Sequence, residues 1–409
     1  MTRSRLLGYV VAGIAALLTI FKYGWMAAVH IGPPLNWVLF GCLGLVIAGV
    51  SVGSLPLTRE TEPRSFALDL PFLGFAAVIL LSVLLGMARG FDPNDITKEL
   101  LSLGLYATYW LVARFVEPGT RFPRLLLMSI LFASPVVMAE FLYIYKTYMI
   151  PRVMTQQANM TVAGVFVALN YLILIRSKKT WVNVAVALAG AAALFTVVAG
   201  MQRTVWIALA LILPLNLLLL RLKHYISNKT LWFSYMGSLV GGGITLLVVW
   251  LTPLRWLLEL LFLRFNTLQK GFGDASLNLR YIDAQNALKL FWASPVMGQG
   301  IGCPIWIRWS KEMSNIMDNS YLVFLWKTGV LGTGVFLLFY LSGVFLALRG
   351  FFRTTDKTRA FIYLSIAAML AVPIISGFTC SILYTYRFIF VYAASMGALA
   401  LLEEPRTKP

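Results

Sequence analysis

Apolar positions run along nearly the whole chain, in continuous blocks and not in period-two alternation. Blocks long enough to cross about 30 Å of hydrocarbon fall at 6–29, 35–54, 67–87, 98–115, 123–145, 160–176, 180–200, 203–221, 231–251, 320–348, 359–379 and 382–402. The pattern predicts an all-α, polytopic membrane protein with about 12 transmembrane helices. Continuous blocks exclude a membrane β-barrel, whose strands alternate lipid-facing and lumen-facing residues. The first block follows a basic start but extends past Tyr23 without a small-x-small cleavage site, so it reads as a span and not a signal peptide. No internal repeat is visible.

One long connection, 252–319, separates a nine-span N-terminal bundle (1–251) from a three-span C-terminal bundle (320–409). Within it, 254–268 is apolar with Arg255, Glu259 and Arg264 interspersed, which predicts a helix lying in the membrane interface. Residues 277, 281, 284, 288 and 291 are apolar at near-helical spacing, which predicts a helix over 277–292. The stretch 293–302 holds Pro295, Gly298, Gly300 and Gly302 and breaks that helix. Long connections with internal structure are usually functional.

Composition narrows the class. Of 409 residues, 59% are hydrophobic and 12% charged, against about 25% charged in soluble domains. That excludes a soluble enzyme, a disordered chain and a disulfide scaffold. The 34 Lys and Arg outnumber the 16 Asp and Glu, giving +18. In a soluble chain such an excess suggests nucleic acid; here the basic residues sit in short loops, where the positive-inside rule accounts for them, and no nucleic-acid partner is expected. One set of loops and termini carries 19 of them, and the short loops of the other side carry five: Arg89, Lys98, Lys146, Arg152 and Arg203. Both termini are therefore expected in the cytoplasm and the long connection outside. Cys42, Cys303 and Cys380 are scattered and form no disulfide framework.

Candidate chemistry gathers on the outer side. Arg203 lies between the seventh and eighth spans, against the charge rule; it either snorkels to headgroups or aims a guanidinium at an anionic substrate. Arg280 opens the helix 277–292, either in a solvated pair with Asp283 three residues on or as a second phosphate clamp. Asp318-Asn319 precedes the tenth span; both are good N-cap residues, and the other reading of Asp318 is a carboxylate base. Among charges inside spans, Glu140 and Arg387 are candidates for a mutual bridge or a substrate role, and Lys22 and Lys327 read as snorkelling. No HExxH, Cys/His cluster, GxxxxGK[ST] or GxSxG motif is present, so no metal or cofactor is expected.

Three local patterns resemble the O-antigen ligase and polymerase family of bacterial envelope glycosyltransferases. They are Met201-Gln-Arg203-Thr-Val-Trp at the start of a span; Arg280-Tyr-Ile-Asp-Ala-Gln-Asn-Ala followed by Ser294-Pro-Val-Met-Gly298-Gln-Gly300; and Asp318-Asn319, nine residues, then Gly329-Val-Leu-Gly332. The last keeps the ligase spacing but has Asp where ligases have His. The resemblance implies a metal-independent transferase outside the bacterial cytoplasmic (inner) membrane. Its donor is a lipid-linked oligosaccharide on undecaprenyl pyrophosphate, and its acceptor a hydroxyl on a glycan or glycolipid. Arg203 and Arg280, with Arg387, would hold the leaving pyrophosphate, and Asp318 would be the base. Asn319, Tyr321, Gly298 and Gly300 would line the substrate site. Membrane lipids would flank a groove for the lipid tail, and envelope polysaccharide-assembly proteins are potential partners. The Asp in place of His leans the expectation towards a repeat-unit polymerase over a ligase joining glycan to lipid A-core. The alternative from another class is a transporter or lipid-linked sugar flippase.

Overall fold

The computed structural model describes residues 3–20, 66–148, 155–200, 202–229, 259, 275–308 and 311–402. Helices dominate them: α1 (Arg3–Ile20), α2 (Phe66–Ala88), α3 (Pro93–Gly104), α4 (Thr108–Phe115), α5 (Arg121–Tyr148), α6 (Thr155–Asn170), α7 (Thr180–Ala199), α8 (Arg203–Leu222), α9 (Ala275–Ala293), α10 (Ser320–Arg353), α11 (Lys357–Ser376) and α12 (Tyr386–Ala400). Six of these, α2, α5, α7, α8, α10 and α11, are long and apolar enough to cross a membrane. The predicted spans 35–54 and 231–251, the interfacial helix 254–268 apart from Glu259, the later part of the first span with Lys22, and Cys42 lie outside the described residues.

The burial pattern is that of a protein in lipid. On α8, Leu211, Leu215, Leu218 and Leu222 face outward in one exposed stripe. The same helix turns Asn216 inward, where its amide donates to Asn170 Oδ1 at 2.8 Å and Asn170 in turn donates to Ser365 Oγ at 3.2 Å. An apolar exterior around satisfied polar groups suits hydrocarbon, where an unpaired amide is costly. The chain is a helical membrane protein.

The predicted span 98–115 is not one helix. Asp92 caps α3 by accepting from Asn94 N at 2.9 Å, and Pro93 occupies the first turn, so the helix starts earlier than hydropathy indicates. A 3₁₀ turn, Leu105–Ala107, then separates α3 from α4. Around this corner Phe75, Tyr106, Phe324, Phe336 and Phe339 form an aromatic core joining α2, the 3₁₀ turn and α10, with Phe324 and Phe336 stacked at 4.1 Å.

The predicted helix 277–292 is α9, and the predicted breaker follows it. Sequence patterning did not show the antiparallel ribbon β1 (Ile305–Ile307) and β2 (Glu312–Ser314), paired Ile305↔Ser314, because three-residue strands carry almost no periodic signal. It also missed a break inside α10. Gly329 has φ 65°, ψ −169°. The carbonyls of Trp326 and Lys327 lose their partners one turn on. They accept instead from Gln299 N (2.6 Å) and Gly300 N (2.9 Å). The freed N–H groups of Val330 and Leu331 donate to the carbonyls of Pro295 (2.8 Å) and Val296 (3.2 Å). The loop after α9 is thus spliced into the hydrogen-bond ladder of α10. A Cβ at position 329 would lie 2.2 Å from the Val296 carbonyl oxygen, so the splice requires glycine.

Candidate functional site

The splice fixes α9 against the first half of α10, and this sets Arg280 opposite Asp318. Arg280 Nη2 donates to Asp318 Oδ2 at 3.2 Å. The pair is half-exposed, with side-chain exposures of 41% and 53%. Both residues line a cavity of about 650 Å³ with Tyr281, Asn319, Phe378 and Thr379. That volume lies within the ~300–1,000 Å³ range of small-molecule sites. The Nε of Arg280 is buried without a hydrogen-bond partner, and the half-exposed remainder of the guanidinium is what meets the cavity.

For each residue of this pair, one of the two alternatives left by the sequence fails. Asp318 does not cap α10. Asn319 does, accepting from Leu322 N at 3.0 Å, which leaves the Asp318 carboxylate directed at Arg280. Asp283 is not the partner of Arg280 either. It is buried and its Oδ1 accepts from Arg308 N at 2.8 Å, tying α9 to the end of β1.

Arg203 opens α8, at the positive end of the helix dipole. Its neighbours join α8 to the cavity wall. Thr204 Oγ1 lies 2.7 Å from Thr379 Oγ1. Gln202 donates from Nε2 to Cys380 Sγ and accepts from Asn159 Nδ2 at 2.7 Å. Arg203, Arg280 and Asp318 therefore come from three elements that meet around the segment 377–385, between α11 and α12. Burial and the nearby Asp318 charge push the Cys380 thiol, which lies in that connecting segment, up to about 11; it stays protonated at neutral pH and is a poor nucleophile.

The other predicted residues divide. Tyr321 donates its hydroxyl to the Ile374 carbonyl at 2.6 Å and packs its ring on Phe378, 4.6 Å between centroids, so it supports the wall from behind. Gly298 and Gly300 have φ values of 74° and 96°. A Cβ on Gly298 would lie 2.4 Å from the Lys327 backbone, and one on Gly300 would lie 2.6 Å from Gly86 N. Their surroundings are backbone, in the splice. The Arg387 side chain, and with it a Glu140 bridge, lies outside the described residues.

Lys327 does not snorkel. It is fully buried, with Nζ 2.6 Å from Glu99 Oε1 and a second bond to the Cys303 carbonyl at 3.2 Å. Tyr384 OH donates to Glu99 Oε2 at 2.5 Å. Hydropathy and motif spacing do not point to Glu99 or Tyr384, although an acidic residue inside a predicted span is itself a signal. Arg89 was missed as well; it holds the splice loop through the Gly298 carbonyl (3.1 Å) and Gln299 Oε1 (2.6 Å).

Chemically, the cavity offers a half-exposed guanidinium, a half-exposed carboxylate, and a polar and aromatic wall. Among the described residues, no three His, Cys, Asp or Glu side chains gather as a metal site. Compared with protein-family models and with curated proteins, the chain matches none.

Proposed function

We propose that the chain is a glycosyltransferase of the bacterial cytoplasmic membrane. It moves glycan from an undecaprenyl-pyrophosphate donor to an acceptor hydroxyl on the outer side, as a repeat-unit polymerase of O-antigen or exopolysaccharide. The observation that carries this reading is the Arg280–Asp318 pair at 3.2 Å on the wall of the cavity. An incoming pyrophosphate competes for Arg280, and a half-exposed pair yields at little cost. The freed carboxylate of Asp318 accepts the proton of the acceptor hydroxyl. That oxygen bonds to C1 of the donor sugar as the C1–O bond to pyrophosphate breaks, with inversion. The leaving group departs with the electron pair, and Arg280 and Arg203 stabilise its charge. No step requires a metal.

Aspartate in place of the ligase histidine favours polymerase over ligase. The broken α10 is the observation that favours a transporter, since half-helices surround transporter sites. Here, however, the break is filled by the chain's own loop 295–300 and offers a substrate no room.

The decisive experiment gives the purified protein lipid-linked repeat units in EDTA. Chain growth is expected; loss of activity that Mg²⁺ restores would make Asp318 a metal ligand, and no growth under any condition would remove the transferase reading. The orientation rests on the split of 19 basic residues against five. A Glu312→Cys variant should label from outside spheroplasts, and Lys178→Cys only after permeabilisation.

A further inference from the structure

The site residues come from elements far apart in sequence, and one connecting segment holds them in register. Ser320, two residues after Asp318, donates its N–H to the Gly377 carbonyl at 2.8 Å and its hydroxyl to the Cys380 carbonyl at 2.7 Å. The same hydroxyl accepts from Leu383 N at 3.0 Å. Thr379 meets Thr204, next to Arg203. The segment 377–385 therefore touches the neighbour of the proposed base and the neighbour of one proposed clamp, and it supplies Phe378 and Thr379 to the cavity wall.

Its other end is anchored in the buried charges. Tyr384 bonds Glu99, Glu99 pairs with Lys327, and Lys327 bonds the Cys303 carbonyl. The Lys327 carbonyl also receives Ser82 Oγ (3.0 Å) and the spliced Gly300 N–H (2.9 Å). One buried cluster thus ties α3, the first half of α10, the splice loop after α9 and the segment 377–385. Two charges buried among transmembrane helices are not well explained by stability, because an apolar replacement of such a pair is often as stable. Intramembrane charges more often serve a site.

We propose that Glu99, Lys327 and Tyr384 are positioning residues. They lock the segment 377–385 against the broken helix so that the helix bearing Arg280 and the start of α10 bearing Asp318 face one cavity, with the turn bearing Arg203 joined to its wall through Thr204 and Thr379. Its kinetic consequence rests on the transferase reading; its structural consequence does not.

The test uses the full chain in lipid nanodiscs with Cys42→Ala and Cys303→Ala, so that Cys380 is the remaining thiol. Two variants keep the buried charge balanced: Tyr384→Phe, which removes one hydrogen bond, and Glu99→Gln/Lys327→Met, which removes the pair. In the parent, Cys380 is held by Gln202 and Thr379 and should react slowly with a maleimide at neutral pH. In both variants the labelling rate is expected to rise about tenfold or more as the segment loosens locally, with the gel-filtration profile unchanged. With lipid-linked donor, kcat is expected to fall about tenfold while KM stays within about twofold, the signature of lost alignment rather than lost binding. Unchanged labelling in both variants would overturn the proposal, as would faster labelling with an unchanged kcat. If labelling rises and even the parent transfers no glycan, the transferase reading fails and the positioning of the segment stands.

Discussion

Two ion pairs flank the first half of α10, and they differ in burial; on the proposed function they serve opposite purposes. Arg280–Asp318 sits at its start, 3.2 Å apart and about half-exposed. Glu99–Lys327 lies about two turns further along the helix, 2.6 Å apart, with exposures of 3% and 0%. An exposed pair contributes about 0–1 kcal/mol and is screened by salt. A buried pair contributes little net stability when whole, yet leaving one charge unpaired costs about 3–5 kcal/mol. A pair that meets a substrate has to open during each turnover, so weakness suits it. A pair that holds several elements in register has to stay closed, and burial ensures that any single loss is severe.

The sharpest way to break this comparison is to remove charges singly and together. Lys327→Met strands the Glu99 carboxylate and is expected to lower stability by about 3–5 kcal/mol, seen as loss of monodisperse protein and an earlier denaturation midpoint. Adding Glu99→Gln should restore most of that loss, since Gln still accepts from Tyr384. Equal stability of the single and double variants would mean that the pair is not charged, or not buried, in the membrane.

At the other pair the same logic gives a rate effect with at most a small stability effect. Asp318→Asn is expected to cost at most about 1 kcal/mol, the contribution of a half-exposed ion pair, because Asn319 already supplies the cap. Transfer should fall about 10²–10⁴-fold at equal expression, as loss of a general base does. Growth of lipid-linked glycan at the parental rate by the Asn variant would remove the base from Asp318. Arg280→Lys is the milder partner. Lysine keeps the charge but lacks the planar two-point grip, and a loss of about 10²–10³-fold in rate is expected. A normal rate in Arg280→Lys and in Arg203→Lys would reduce both arginines to interfacial residues.

The comparison also separates what the sequence disclosed from what it concealed. Arg280 and Asp318, which the structure brings together on one cavity, stood out in the sequence as charges at the ends of apolar blocks, as did Arg203, which does not line that cavity. The partners of Arg280 and Lys327 did not. Asp283 is three residues from Arg280 and one turn along the same helix, so local spacing nominated it, whereas the observed partner is 38 residues away. Lys327 and Glu99 are separated by 228 residues, and no periodicity links them. The helix blocks were visible through hydropathy, but the Gly329 break was not, because the partners that the carbonyls of Trp326 and Lys327 and the N–H groups of Val330 and Leu331 find come from elsewhere in the chain.

The smallest expected effect resolves the two adjacent residues that the sequence left confounded. Asp and Asn cap helices about equally well, so Asp318-Asn319 gives no sign of which does so. The structure assigns the cap to Asn319, whose φ of −159° is extended and whose Oδ1 lies 3.0 Å from Leu322 N. Asn319→Ala is therefore expected to lose about 1 kcal/mol of stability, while Asn319→Asp keeps the acceptor and should be silent by the same measure. Asp318→Ala removes no capping bond, and its half-exposed pair with Arg280 contributes at most about 1 kcal/mol, falling towards nothing in high salt. Denaturation measured at low and high salt distinguishes them: the Asn319→Ala deficit should persist and any Asp318→Ala deficit should vanish. The reverse pattern would place the cap on Asp318, occupy the carboxylate proposed as the base, and collapse the contrast between an openable pair and a closed one.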